Sequence, residues 1–84
     1  MASAEAVSKA RKRTVGIRQT LKAVEQGLVR VVVVAEDADA RLLRDLLASC
    51  QRRGVTVTYV ESMKMLGEAS GIKVGAAAAA VLEE

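Results

Sequence analysis

The sequence predicts an α/β protein, a three-layer α/β/α sandwich around a small mixed four-stranded sheet. Three observations carry that expectation. Val29–Ala35 is a near-continuous β-branched run, the pattern of a strand buried on both faces. Segments with helical and with extended patterning alternate along the chain, as layered α/β domains require. The core must be built from Val, Leu, Ile, Ala and Met, because Phe, Trp, His and Pro are absent and Tyr59 is the single aromatic. Such side chains suit thin layers in which helices lie close on a sheet. At 84 residues the chain is expected to form one domain, residues 1–84, around one core.

The elements follow in order. Residues 3–12 read as a short helix, with Ser3 as N-cap and Ala4, Val7 and Ala10 at helical spacing. Thr14 and Val15 are a brief extended segment before Gly16. Residues 18–26 read as a second helix with Leu21, Val24 and Leu28 on one face and Gly27 to stop it. After the Val29–Ala35 strand, Asp39 caps a longer helix whose apolar stripe is Leu42, Leu43, Leu46, Leu47 and Cys50. Arg52 and Arg53 end it with favourable charge, and Gly54 supplies the turn. Residues 55–60 alternate as a strand should. Ser62 caps a short helix running to Ser70, and Gly71 closes it. Residues 76–80 are five alanines. Intrinsic propensity makes them a helix, whereas the alternation of elements, and the need for small side chains between close layers, make them a strand. Both readings stand at this point.

Charge is unevenly spread. Residues 1–30 carry seven basic and two acidic side chains, a charge of +5. Residues 31–84 carry six and eight, a charge of −2, and the two together recover the +3 of the whole chain. A basic first third suggests a localised anion-binding face. The lone Cys50 forbids an internal disulfide and suits a reducing compartment. No signal-peptide pattern opens the chain, and its longest uncharged apolar stretch, residues 74–82, is far short of the ~20 residues that span a bilayer. A cytoplasmic monomer that does not engage membranes is expected.

The window Gly16-Ile17-Arg18-Gln19-Thr20-Leu21-Lys22 concentrates the chemistry. A flexible glycine precedes a helix start, where unpaired N–H groups and the positive dipole end favour phosphate. Arg18 and Gln19 bring the donors and acceptors that read base edges. Lys22 follows one turn after Arg18, on the same side. Arg11, Lys12 and Arg13 read as a solvated helix end able to add phosphate contacts.

A different class of function rests on Glu36, Asp37 and Asp39, a carboxylate cluster after a strand, where α/β proteins often place sites. It would make the chain a small nucleotide- or metal-binding enzyme domain. That alternative lacks a histidine, a reactive cysteine and a phosphate-cradling glycine loop, and Asp39 is better explained as an N-cap. Neither catalytic nor metal-ligating residues are assigned, and no cofactor is expected. A third reading is a protein-interaction module within a ribonucleoprotein. Gly67, Gly71 and Gly75 recur every four residues and read as turn chemistry, while Cys50 reads as a small buried hydrophobe.

Ordered motifs over residues 6–82 then carry a resemblance. They are Gly16-x-x-Gln19-Thr20-x-Lys22-Ala23-x-x-x-Gly27, Val31 to Asp39, Gly54-Val55, Val60-Glu61-Ser62-Met63-Lys64-x-Leu66-Gly67-x-Ala69-x-Gly71-Ile72, and Val74-Gly75-Ala76-Ala77-Ala78. In order and spacing the chain resembles the ribosomal kink-turn RNA-binding superfamily, the L-seven-Ae and L-thirty-e group, and its bacterial YbxF-like branch. The resemblance implies an α/β/α fold with the alanine run as a strand. It implies a non-catalytic protein that recognises and stabilises kink-turns with tandem G·A pairs, in ribosomal or riboswitch-type RNA and not in DNA.

Gly16 would open the helix that enters the kinked groove, Arg18 and Gln19 would reach guanine edges, and Lys22 would bind phosphate. Arg18 stands where an Asn is common in the superfamily, and Gln26 where a basic residue often lies. The loop Gly71-Ile72-Lys73-Val74 would pack aliphatic surface on unstacked bases, and Glu36 completes the implied RNA-binding set.

Overall fold

A computed structural model describes residues 3–83, with side chains from residue 5 onward. The Ser3 cap lies outside the described side chains. The element order is α1 (Ser3–Lys9), β1 (Arg13–Val15), α2 (Ile17–Glu25), β2 (Val29–Ala35), α3 (Ala40–Arg53), β3 (Thr56–Val60), α4 (Met63–Ala69) and β4 (Ala78–Leu82). The four strands form one mixed sheet in the order β1-β4-β2-β3. β4 is antiparallel to both β1 and β2, and β2 and β3 are parallel through the α3 crossover.

Helices cover both faces. On one face α1 and α4 close a cluster of Val7, Val33, Ala35, Val60, Leu66, Ala76, Ala79 and Val81. On the other, α2 and α3 close a cluster of Val24, Val32, Val34, Leu43, Leu46, Cys50, Ala78 and Ala80. Val32, Val33 and Val34 are fully buried, so successive side chains of β2 feed opposite cores. Each such side chain contributes roughly 1.5–3 kcal/mol. The three-layer architecture is the one expected.

The alanine run resolves as a strand. Ala78, Ala79 and Ala80 are fully buried between β1 and β2 with helices on both sides. Methyl side chains let both helical layers approach, and tertiary burial outweighs helix propensity of a few tenths of a kcal/mol per residue.

Some expectations shift. α1 ends at Lys9 rather than residue 12; Arg13 donates from Nη1 to the carbonyls of Val7 and Ser8, each at 3.3 Å, and so caps the shortened helix. Leu28 and Leu42 do not join the apolar faces assigned to them. Leu28 lies beyond the end of α2, and Leu42 is 64% exposed, one residue round the helix from buried Leu43.

Arg11, Lys12 and Arg13 therefore lie beyond the helix they were expected to end, with Arg13 in β1, whereas Asp39 and Cys50 take their expected roles. The Asp39 side chain accepts from Arg41 N at 2.9 Å, and the Arg41 guanidinium, followed by that N–H, holds its carboxyl below the usual carboxylate range. Cys50 is buried, and burial pushes its thiol up.

Candidate nucleic-acid interface

Strand directions bring four loops to one end of the sheet. Gly16 N donates to Ala78 O at 2.8 Å, Ala35 N to Ala77 O at 2.9 Å and Glu36 N to Val60 O at 2.8 Å. The β1–α2, β2–α3, β3–α4 and α4–β4 connections therefore share a pole. Gly16 and Glu36 lie there, with the stretch leading from Val74 to Ala78. α2 starts there, carrying Arg18, Gln19 and Lys22.

The start of α2 has an unusual opening. Gly16 is its N-cap at φ 99°, ψ 154°, a conformation that only glycine adopts readily. A Cβ built there meets nothing within 4 Å, so backbone conformation and not crowding calls for glycine. No side chain caps the first turn and no acid lies in it. The first helical bond is Thr20 N to Gly16 O at 3.1 Å, which leaves the N–H groups of Ile17, Arg18 and Gln19 outside the ladder.

Arg18, Gln19 and Lys22 are exposed, and their side chains make no hydrogen bond or ion pair among the described residues. Behind them Thr20 is fully buried and shares a 2.8 Å hydroxyl hydrogen bond with Thr14. Ala23 and Val24 are buried as well. The helix is fixed on one side and free on the other. An uncapped, acid-free, cation-bearing helix end attracts phosphate.

The second predicted element divides in two. α4 ends in a glycine turn: Gly71 N donates to Glu68 O at 3.1 Å and Ile72 N to Gly67 O at 3.0 Å, with Gly71 at φ 81°. In this closure the residue after the glycine packs back on the helix. Ile72 is accordingly half-buried against the α1/α4 core. Val74 is 71% exposed, and Lys73 beside it is exposed.

Three features that pattern alone did not reveal hold this loop. Gly67 is a helical residue, buried, and not part of a turn; a Cβ there would collide with the Val74 carbonyl oxygen. A Cβ at Gly75 would sit 3.1 Å from Met63 Cβ. The Asp37 carboxylate accepts from Met63 N at 2.8 Å and Ser62 Oγ from Met65 N at 3.1 Å, so two side chains cap α4. The four-residue glycine spacing is thus a device for close approach as well as for turning. Only tertiary packing distinguishes the two uses.

Those caps also employ the acidic loop. Asp37 binds the α4 N-terminus and Asp39 the α3 N-terminus. Among the described residues no three His, Cys, Asp or Glu side chains come together as a metal-ion site.

The fold and pole define an α/β/α domain that presents one uncapped helix end beside an exposed aliphatic loop. The chain belongs to the ribosomal protein L7Ae/L30e/S12e/Gadd45 family, whose model matches residues 1–84. It is 45% identical over 80 residues to the RNA-binding protein YbxF of Geobacillus stearothermophilus, covering 95% of this chain and 98% of that one. It is 46% identical over 79 residues to an RNA-binding protein of Halalkalibacterium halodurans, covering 94% and 96%. The solved 15.5 kD RNA binding protein of Giardia lamblia has the same fold, with a TM-score of 0.85 at 24% identity over 96% of this chain and 68% of that one.

Proposed function

We propose that this protein is a non-catalytic RNA-binding protein that recognises kink-turns and stabilises their bend. The observation that carries the reading is the open start of α2, where free backbone N–H groups, Arg18, Gln19 and Lys22 face solvent together. The full-length likeness to proteins named as RNA-binding supports RNA as the partner.

The chemistry follows from RNA geometry. A regular A-form major groove is too deep and narrow for side chains to read. A sharply bent internal loop opens it, so a helix end can enter. Lys22 then binds phosphate, Arg18 and Gln19 meet the edges of tandem sheared G·A pairs, and Val74 with Lys73 lies against an unstacked base. Glu36, exposed at the same pole, accepts from an exocyclic amine or a ribose hydroxyl. The free thiol of Cys50 fits action in the cytoplasm.

Gel shifts test the reading. The protein is expected to retain a kink-turn RNA and to lose it when the tandem G·A pairs become Watson–Crick pairs. Equal affinity for the two RNAs would remove kink-turn recognition and leave only RNA binding.

A further inference from the structure

We infer a second binding site, for a single nucleotide, at the opposite end of the sheet. A cleft of about 550 Å³ lies between the end of α1 and the far ends of β2, β3 and β4. Its floor includes Ala10, Val31 and Val81, and its rim includes Lys9, Lys12 and Arg30. It is far from Gly16: Leu82 N donates to Lys12 O at this end of β4, whereas Gly16 N donates to Ala78 O at the other.

The placement of Arg30 comes from an irregularity in β2. Val29 pairs with Leu82 and Val31 with Val81, so Arg30 is an extra residue in the ladder. The packing confirms the change of phase. Val29 packs on the α2/α3 core and Val31 on the α1/α4 core, although two residues apart on a regular strand share a face. Such bulges re-aim side chains. Here Arg30 joins Val31 in lining one cleft.

The charge around the cleft is lopsided. Among the described residues no carboxylate lines it. Glu5 pairs with Lys9 at 3.1 Å on the exposed face of α1, and the Glu83 backbone is turned to Leu28 O. Lys12 and Arg30 side chains make no hydrogen bond or ion pair among the described residues. A concave aliphatic floor under a cationic rim suits a ligand with one flat apolar body and one anionic end. Its volume is in the range that holds a small molecule. A nucleoside monophosphate unit has that form, with the base on Ala10, Val31 and Val81 and the phosphate on Lys12 and Arg30. Its source is a single-stranded RNA segment running past the protein, a choice that rests on the RNA-binding reading above. The longest dimension of the molecule is 30 Å, so one RNA can reach both poles.

The test uses the intact protein and adenosine monophosphate as probe, followed by amide NMR shifts. Adenosine monophosphate should shift Ala10, Lys12, Arg30 and Val31, and bind at least about fivefold more tightly than either adenosine or inorganic phosphate. Arg30→Gln should weaken the binding that those shifts report at least about fivefold, leaving the spectrum folded and affinity for an untailed kink-turn RNA close to wild type. A single-stranded extension on that RNA should strengthen binding to the wild type only.

Shifts absent from the cleft, inorganic phosphate binding as well as the nucleotide, or a glutamate-rich peptide displacing the nucleotide would each overturn the site. If nucleotide shifts map to the cleft while kink-turn RNA is refused, the site stands and the kink-turn reading falls.

Discussion

Gln19 and Lys22 stand three residues apart on one exposed helical surface, yet they are expected to do separable work. Lys22→Ala should weaken every RNA similarly and lower the salt dependence by about one phosphate contact. Gln19→Ala should instead erode discrimination between G·A and substituted pairs, by roughly 1–3 kcal/mol on the scale of bidentate base contacts. Binding titrations at several salt concentrations distinguish the two. A substantial fall in melting temperature for either variant would contradict their placement on the free side of α2. The loop makes a sharper comparison. Val74→Asp should leave the protein folded and bind RNA poorly, because Val74 is exposed. Ile72→Asp should destabilise the fold, because Ile72 packs on the α1/α4 core and an unpaired charge forced against apolar surface costs several kcal/mol. Circular dichroism beside a gel shift checks both. A folded Ile72→Asp, or a Val74→Asp that binds RNA normally, would contradict the division of the loop.

At the scale of elements, α4 and the loop that returns beside it form one unit joined by glycines. Gly67→Ala should improve helix propensity by up to about 1 kcal/mol. The added methyl would also collide with the Val74 carbonyl, and overpacking of that kind costs about 1–3 kcal/mol. The net expectation is destabilisation, with RNA affinity reduced further because the loop carrying Val74 must move. A thermal melt reads the first effect; unchanged or raised stability would contradict the close approach. This element also marks where sequence reasoning stops. Helix caps and glycine stops were legible: Asp39, Ser62, Gly27, Gly54 and Gly71 all act as their local signals indicate. Asp37 was not, because it caps a helix 26 positions away in sequence. Leu42 failed because a stripe of adjacent leucines is wider than the face that α3 buries. The bulge at Arg30 left no pattern within a run of valines.

At the scale of the molecule, the layered fold was legible from one β-branched run and the alternation around it, which favoured a strand for the alanines against their helix propensity. Five alanines carry no periodicity, and their burial between two helical layers is a property of the assembled sandwich. The candidate site was legible as a basic helix start after glycine. That its neighbours gather at one pole follows from strand order and direction, which local patterns do not specify. The central claim is that this pole holds RNA in a bent form. Energy transfer between dyes on the two helical arms of a kink-turn RNA, at low magnesium, tests it most directly. The account predicts that adding the protein raises transfer for the kink-turn and leaves its Watson–Crick counterpart unchanged. Tight binding without a rise in transfer, or the same rise for both RNAs, would contradict it.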